Sequence, residues 1–305
     1  MTADRPLLGI TLMFGFCLLA PMGDAMAKVL GGTVPLGQIV TGRFAIQAIA
    51  LLPVVAILGL SLAMRPWQYR LIFVRTVLHI AGIGAMFLSL QYLPLADAIA
   101  IAFVMPFIML LLGRTVLGEE VGPRRLAACA VGFVGTLLVV QPSFAAVGPP
   151  ALLPLFVAVV FALFMLVTRQ LAKETDPVAM QAVSGLMAVA LLVPVSFVAL
   201  RADWAPLAPI TLNTTEWAIL IAMGLLGTGA HLLMTWSLRY APSATLAPMQ
   251  YLEIPVATLV GLVIFGDFPN GLALVGIAVT MAAGLYIISR EHSLSRSVPV
   301  TPPEA

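Results

Sequence analysis

Glu253 stands alone. The nearest charges, Arg239 and Asp267, lie 14 residues away on either side. A carboxylate so isolated can carry a proton or pair with a cation brought to it. It sits in Gln250-Tyr251-Leu252-Glu253-Ile254-Pro255, with Trp236 upstream. His79 and His231 also occupy apolar stretches and could shuttle protons. Arg43 is the lone charge of its own stretch. Asp24 and Lys28 are four apart, so on a helix they would share a face. Asp97 opens a further apolar run, where a helix N-terminus favours a carboxylate. Nothing points to hydrolysis or metal binding: there is no HExxH, HxxxH or CxxC spacing. No catalytic residue, metal or cofactor is therefore expected. Cys17 and Cys129 read as small residues buried in apolar segments.

The elements that must position these residues follow from composition. The chain of 305 residues is 61% hydrophobic and 9% charged, with a mean hydropathy of +1.09. Soluble domains are about a quarter charged, so this is an integral membrane protein in a lipid bilayer. A net charge of +2 without basic runs excludes nucleic acid as a partner. Arg5, the apolar stretch that follows and Ala25-Met26-Ala27 imitate a cleavable leader. The run is long for a leader, and the repeat described below needs it as a helix. Apolar windows about 20 residues long predict ten transmembrane helices, all-α, at 7–29, 36–60, 70–92, 95–113, 123–141, 151–171, 178–200, 216–237, 243–265 and 270–289. With the N-terminus cytoplasmic, one side collects twelve Lys and Arg, Arg65, Arg70, Arg75, Arg169 and Arg239 among them. The other collects Arg201, with Lys28 and Arg43 in helices. That bias predicts both termini in the cytoplasm.

Ser89-Leu90-Gln91-Tyr92-Leu93-Pro94 matches Ser237-Leu238-Arg239-Tyr240-Ala241-Pro242 at an offset of 148. Leu117-Gly118-Glu119 matches Phe265-Gly266-Asp267 at the same offset. The chain therefore reads as a short cytoplasmic start (1–6), a first five-helix repeat (7–142), a second (151–290) and a disordered cytoplasmic tail (291–305). An odd number of spans per repeat inverts the second relative to the first. Inverted repeats are a hallmark of secondary transporters, in which the halves exchange conformations around a central site. These motifs, with Arg43-Phe44, Pro106 and Pro255, resemble the drug/metabolite transporter superfamily, specifically its ten-helix EamA-type branch of inverted EamA-like repeats. The resemblance implies carriage of small organic metabolites across the bacterial cytoplasmic (inner) membrane without ATP or cofactor. Tyr251, Glu253 and Pro255 look most like bacterial carriers of riboflavin or S-adenosylmethionine.

Depth assigns the candidate roles. Ten residues into its span, Glu253 would lie about 15 Å deep, near the midplane. A charge there costs at least about 2.5 kcal/mol, so it is expected to line a cavity and to bind substrate or the coupling proton. Arg43, about 10 Å deep, could form an outer-side cluster with Asp24 and Lys28, or contact substrate. Asp97 belongs to the same outer side. His79 falls near mid-depth, and His231 lies in a glycine-rich run suited to close packing. Pro106 and Pro255 are expected to kink their helices at the centre. Gln250, Tyr251 and Trp236 would offer a surface for a flat ring. Glu119 and Asp267 read as helix-end structure. The expected activity is riboflavin uptake by a secondary carrier. S-adenosylmethionine, amino-acid or drug carriage, in either direction, is the alternative, and a membrane-embedded enzyme the alternative class. The partners are a small metabolite and the coupling proton; a homodimer is left open.

Overall fold

The computed structural model describes residues 5–116, 118 and 122–296. Among these, every regular element is helical. The long helices are α1 (Pro6–Leu30), α2 (Leu36–Ile57), α3 (Pro66–Ser89), α6 (Pro123–Val147), α7 (Leu153–Ala172), α8 (Pro177–Arg201), α9 (Thr214–Tyr240) and α12 (Gly271–Arg296). Two further stretches are broken. One consists of α4 (Leu95–Ala102) and α5 (Met105–Val116). The other consists of the single turn α10 (Ser243–Leu246), a 3-10 stretch (Ala247–Leu252) and α11 (Glu253–Phe265). Eight stretches are long and apolar enough to cross a membrane, and Met249–Phe265 and Gly271–Tyr286 are shorter apolar helices. Much of the outer surface is apolar: Ile57 and Val263 are 83% and 74% exposed, as befits contact with lipid.

Local chemistry explains where the helices start and stop. Pro177 occupies the first position of α8, where a missing N–H costs nothing. Asp176 caps it, accepting from Val178 N at 2.9 Å and Ala179 N at 3.2 Å. Asn213 and Glu216 form a reciprocal capping box at the start of α9. Gly266 ends α11 at φ 69°, and Gly118 follows α5 at φ 66°. Both lie in the left-handed region that glycine enters without a Cβ penalty.

Helices pair across the chain: α1 with α9, α3 with α7, α2 with α8, α6 with α12, and α4 with α11. The α6–α12 contact is backbone against backbone. A Cβ on Gly276 would lie 2.5 Å from the carbonyl oxygen of Gly135. Small residues replace a hydrophobic driving force here, because lipid is as apolar as leucine.

Three expectations need correction. Pro106 and Pro255 do not kink continuous helices. The breaks fall just before them, at 103–104 and across 247–252, and the prolines lie in the first turns of α5 and α11. First-turn N–H groups have no intrahelical acceptor, so proline is tolerated where the helix restarts. Next, α12 continues to Arg296, past the expected start of a disordered tail at 291, because neither Pro nor Gly interrupts that stretch. Finally, Arg75, counted with the charges of the cytoplasmic side, is not a surface charge. It lies inside α3 and is fully buried. Glu119, read as helix-end structure, lies outside the described residues.

Candidate functional site: a central cavity

A cavity of about 100 Å³ lies between α1, α2, α3, α4, α5, α7, α9 and α11. Both helix breaks reach it. Ala102, Phe103 and Met105 line it from the first, and Glu253 from the second. Met105 begins α5 and Glu253 begins α11, 148 residues apart, the offset of the sequence signatures. One break thus presents a thioether where the other presents a carboxylate. Glu253 is 9% exposed and occupies a helix N-terminus, which favours negative charge. No hydrogen bond engages its carboxylate among the described residues. The thiol of Cys17 donates to the carbonyl of Met249 at 3.5 Å, tying α1 to the second break.

Asp24, Arg43 and His231 complete the polar wall. Arg43 packs its guanidinium where a side chain on Gly227 would stand, 3.0 Å from a built Cβ. It attracts Asp24 electrostatically without an ion pair, and its Nη1 has no partner among the described residues. The remaining wall is apolar and rich in aromatics: Phe16, Phe87, Phe103 and Phe161.

Behind the wall runs a buried polar column. His79 and His231 meet Nε2 to Nε2 at 3.1 Å. Phe164 lies tilted by 34° to His79 with ring centroids 4.5 Å apart, and Arg75 lies over the phenylalanine ring, 4.5 Å from its centroid. Arg75 donates Nε to Thr168 at 2.9 Å, Nη1 to Ser184 at 3.1 Å and Nη2 to Gln181 at 2.8 Å. Three neutral acceptors and an aromatic face hold this cation, in place of a carboxylate.

Several sequence candidates lie elsewhere. Tyr251 is buried, but in a slot between α6 and α12, where Gly132 and Gly284 leave room for its ring. Gln250 is also buried off the wall, donating to the Met165 sulfur at 3.2 Å. Trp236 packs against the cluster of Leu51, Val55, Val178 and Ala182. All three follow the pitch of their helices away from the cavity. Lys28 does not join Asp24 and Arg43. Its ammonium binds the Asp267 carboxylate at 3.0 Å and the Leu93 carbonyl at 3.1 Å. Asp97 does not cap α4 but accepts from Ser143 of α6 at 3.1 Å.

Sequence reasoning missed the aromatic wall, the pairing of the two histidines and the Arg75 network. One signal was available: Gln181 and Ser184 are three apart in an apolar helix, so they share a face and need a polar partner.

Comparison with known proteins places this geometry. A riboflavin transporter of Rhizobium johnstonii is 33% identical over 80% of this chain and 78% of its own. An S-adenosylmethionine uptake transporter of Rickettsia prowazekii is 24% identical over 90% of each. A solved crystal structure superposes with a TM-score of 0.68 at 18% identity, covering 96% of this chain and 98% of the other, which shows the fold alone. The EamA-like transporter family matches twice, over residues 7–141 and 149–290. With buried charges around a central cavity and lipid-compatible flanks, the chain belongs to the EamA-like transporter family.

Proposed function

We propose that the chain is a secondary carrier that takes up riboflavin across the bacterial inner membrane by alternating access, with the central cavity as its binding site. The observation that carries this is the cavity's chemistry: four phenylalanines around a small polar wall of Asp24, Arg43, His231 and Glu253. An isoalloxazine ring is flat, uncharged and edged with hydrogen-bonding groups. Stacking on Phe16, Phe103 and Phe161 would hold its faces, and Arg43 Nη1 would meet an acceptor on its edge. Glu253 would accept from a ring N–H or a ribityl hydroxyl. The kinship with the Rhizobium riboflavin transporter points the same way.

Ten spans in two inverted halves supply the mechanism. Exchanging the halves carries α1 onto α7, α2 onto α8, α3 onto α9, α4–α5 onto α10–α11 and α6 onto α12. The α1–α9 contact then becomes α7–α3 and α4–α11 becomes α10–α5, while α2–α8 and α6–α12 become themselves. A bundle with that symmetry of contacts can adopt two mirrored arrangements of nearly equal energy, opening to alternate sides. Both termini then lie in the cytoplasm, as the Lys and Arg distribution indicates.

The second reading is S-adenosylmethionine, favoured by the two carboxylates, Asp24 and Glu253, that a sulfonium could meet. Arg43 in the same wall and Arg75 behind it argue against a cationic cargo. Complementation separates the two. Expressed in a riboflavin auxotroph without its own uptake system, the chain should restore growth on low riboflavin. Growth restored only in an S-adenosylmethionine auxotroph would overturn the choice of substrate.

A further inference from the structure

We infer that the His79–His231 pair is a proton-binding site of capacity one, whose proton is exchanged each time substrate binds. This rests on the carrier reading above and deepens it by naming the coupling site. The two rings come from α3 and α9, one in each half, and meet at 3.1 Å between Nε2 atoms. Such a contact is a hydrogen bond only when one Nε2 carries hydrogen and the other offers a lone pair. In the neutral pair, the donating ring therefore has a bare Nδ1, and the accepting ring carries its hydrogen on Nδ1. Both Nδ1 atoms are buried without a partner among the described residues. One added proton goes to the bare Nδ1. The donating ring becomes an imidazolium and the contact survives, strengthened by the charge. A second proton would place N–H on both Nε2 atoms and force α3 and α9 apart. The pair therefore takes one proton and no more.

Phe44 meets His79 at 5.0 Å between centroids and Phe16 meets His231 at 5.7 Å, so aromatic rings rather than fixed dipoles face the pair. Of the charged groups, two cations, Arg43 on α2 and Arg75 on α3, bear on the pair. Two anions, Asp24 on α1 and Glu253 on α11, line the cavity that His231 also lines. The packed elements α7 and α8 contribute only neutral groups near the pair: Phe161, Phe164, Gln181 and Ser184. A substrate that engages Arg43 or Glu253 alters this balance, so substrate and proton affect each other's binding.

The test uses the purified full chain with riboflavin. Calorimetry in buffers of different ionisation enthalpy should find about one proton exchanged per riboflavin bound. In proteoliposomes, a gradient of one pH unit should drive up to about tenfold accumulation. His79→Gln and His231→Gln should bring the proton count near zero, while Glu253→Gln weakens binding and keeps the count. His79→Gln, which lies behind the wall, should keep gradient-free riboflavin exchange within about threefold and lose accumulation. Histidine variants that keep the proton count, or loss of it in Glu253→Gln alone, would overturn the inference. Wild type that carries riboflavin without exchanging a proton overturns it too, and leaves the carrier reading standing. Wild type that neither binds nor carries riboflavin overturns both. Should the variants not fold, nitrogen-15 spectra of the wild-type histidines decide: ring nitrogens that change protonation with riboflavin support the pair, and unchanged ones refute it.

Discussion

At the scale of single residues, Arg75 and Glu253 answer the same problem differently. Arg75 is fully buried and satisfied by Thr168, Ser184, Gln181 and the face of Phe164. Its network ties α3 to α7 and α8, so its first role is cohesion. Truncation to alanine strands the buried Gln181 oxygen, at about 1–3 kcal/mol, while Thr168 and Ser184 keep their bonds to Phe164 and Thr76. Arg75→Ala should therefore cost at least about 1 kcal/mol, read as a drop of a few degrees in melting temperature in detergent. Arg75→Lys should recover only part of it, because an ammonium cannot span three acceptors as a planar fork does. Glu253 has no such network and faces the cavity. Glu253→Gln should leave the melting temperature nearly unchanged and reduce riboflavin uptake at least about tenfold, the loss of one charge-assisted hydrogen bond. A large fall in stability with uptake intact would reverse these two assignments. Isolation in the sequence singled out Glu253 because nothing nearby could neutralise it. Arg75 escaped notice because it stands close enough to Arg65 and Arg70 to be counted with the cytoplasmic-side charges.

At the scale of elements, glycine placement sets how closely helices approach. At Gly276 a Cβ would meet the Gly135 carbonyl at 2.5 Å, whereas at Gly229 it would meet nothing within 4 Å. Gly276→Ala should push α12 from α6 and destabilise the fold by about 1–3 kcal/mol. Gly229→Ala should be neutral or stabilising by up to about 1 kcal/mol through helix propensity. Thermal unfolding of the pair of variants compares them directly, and equal effects would contradict the packing described. The existence of these helices was plain in the sequence, since apolar windows, Pro and Gly punctuation and charge bias agree. Their rotation was not. In lipid both faces of a helix are apolar, so periodicity does not tell Phe161 on the cavity from Phe197 on the surface. That is why Tyr251 and Trp236 were placed on the cavity and the phenylalanines were not. The half-helix starts at Met105 and Glu253 were hidden for another reason. Whether proline kinks a helix or begins one depends on tertiary packing that the sequence pattern does not show.

At the scale of the whole molecule, the account describes two halves gripping a cavity that opens to alternate sides. It predicts both chain ends on one face of the membrane, which tags at each terminus read by protease access in intact and permeabilised cells would check. Lys28–Asp267 and Arg65–Glu174 then lie on opposite faces. Both pairs are partly or largely exposed, worth at most about 1 kcal/mol, weak enough to open and close. The most direct measurement is riboflavin flux through the cavity itself. Gly23 lines it with open space where a side chain would project. Wild-type protein in liposomes should give saturable riboflavin uptake, and Gly23→Phe, filling the cavity without a clash at its Cβ, should abolish it while folding normally. Uptake by the wild type that rises linearly without saturation, or flux through Gly23→Phe equal to wild type, would contradict the account.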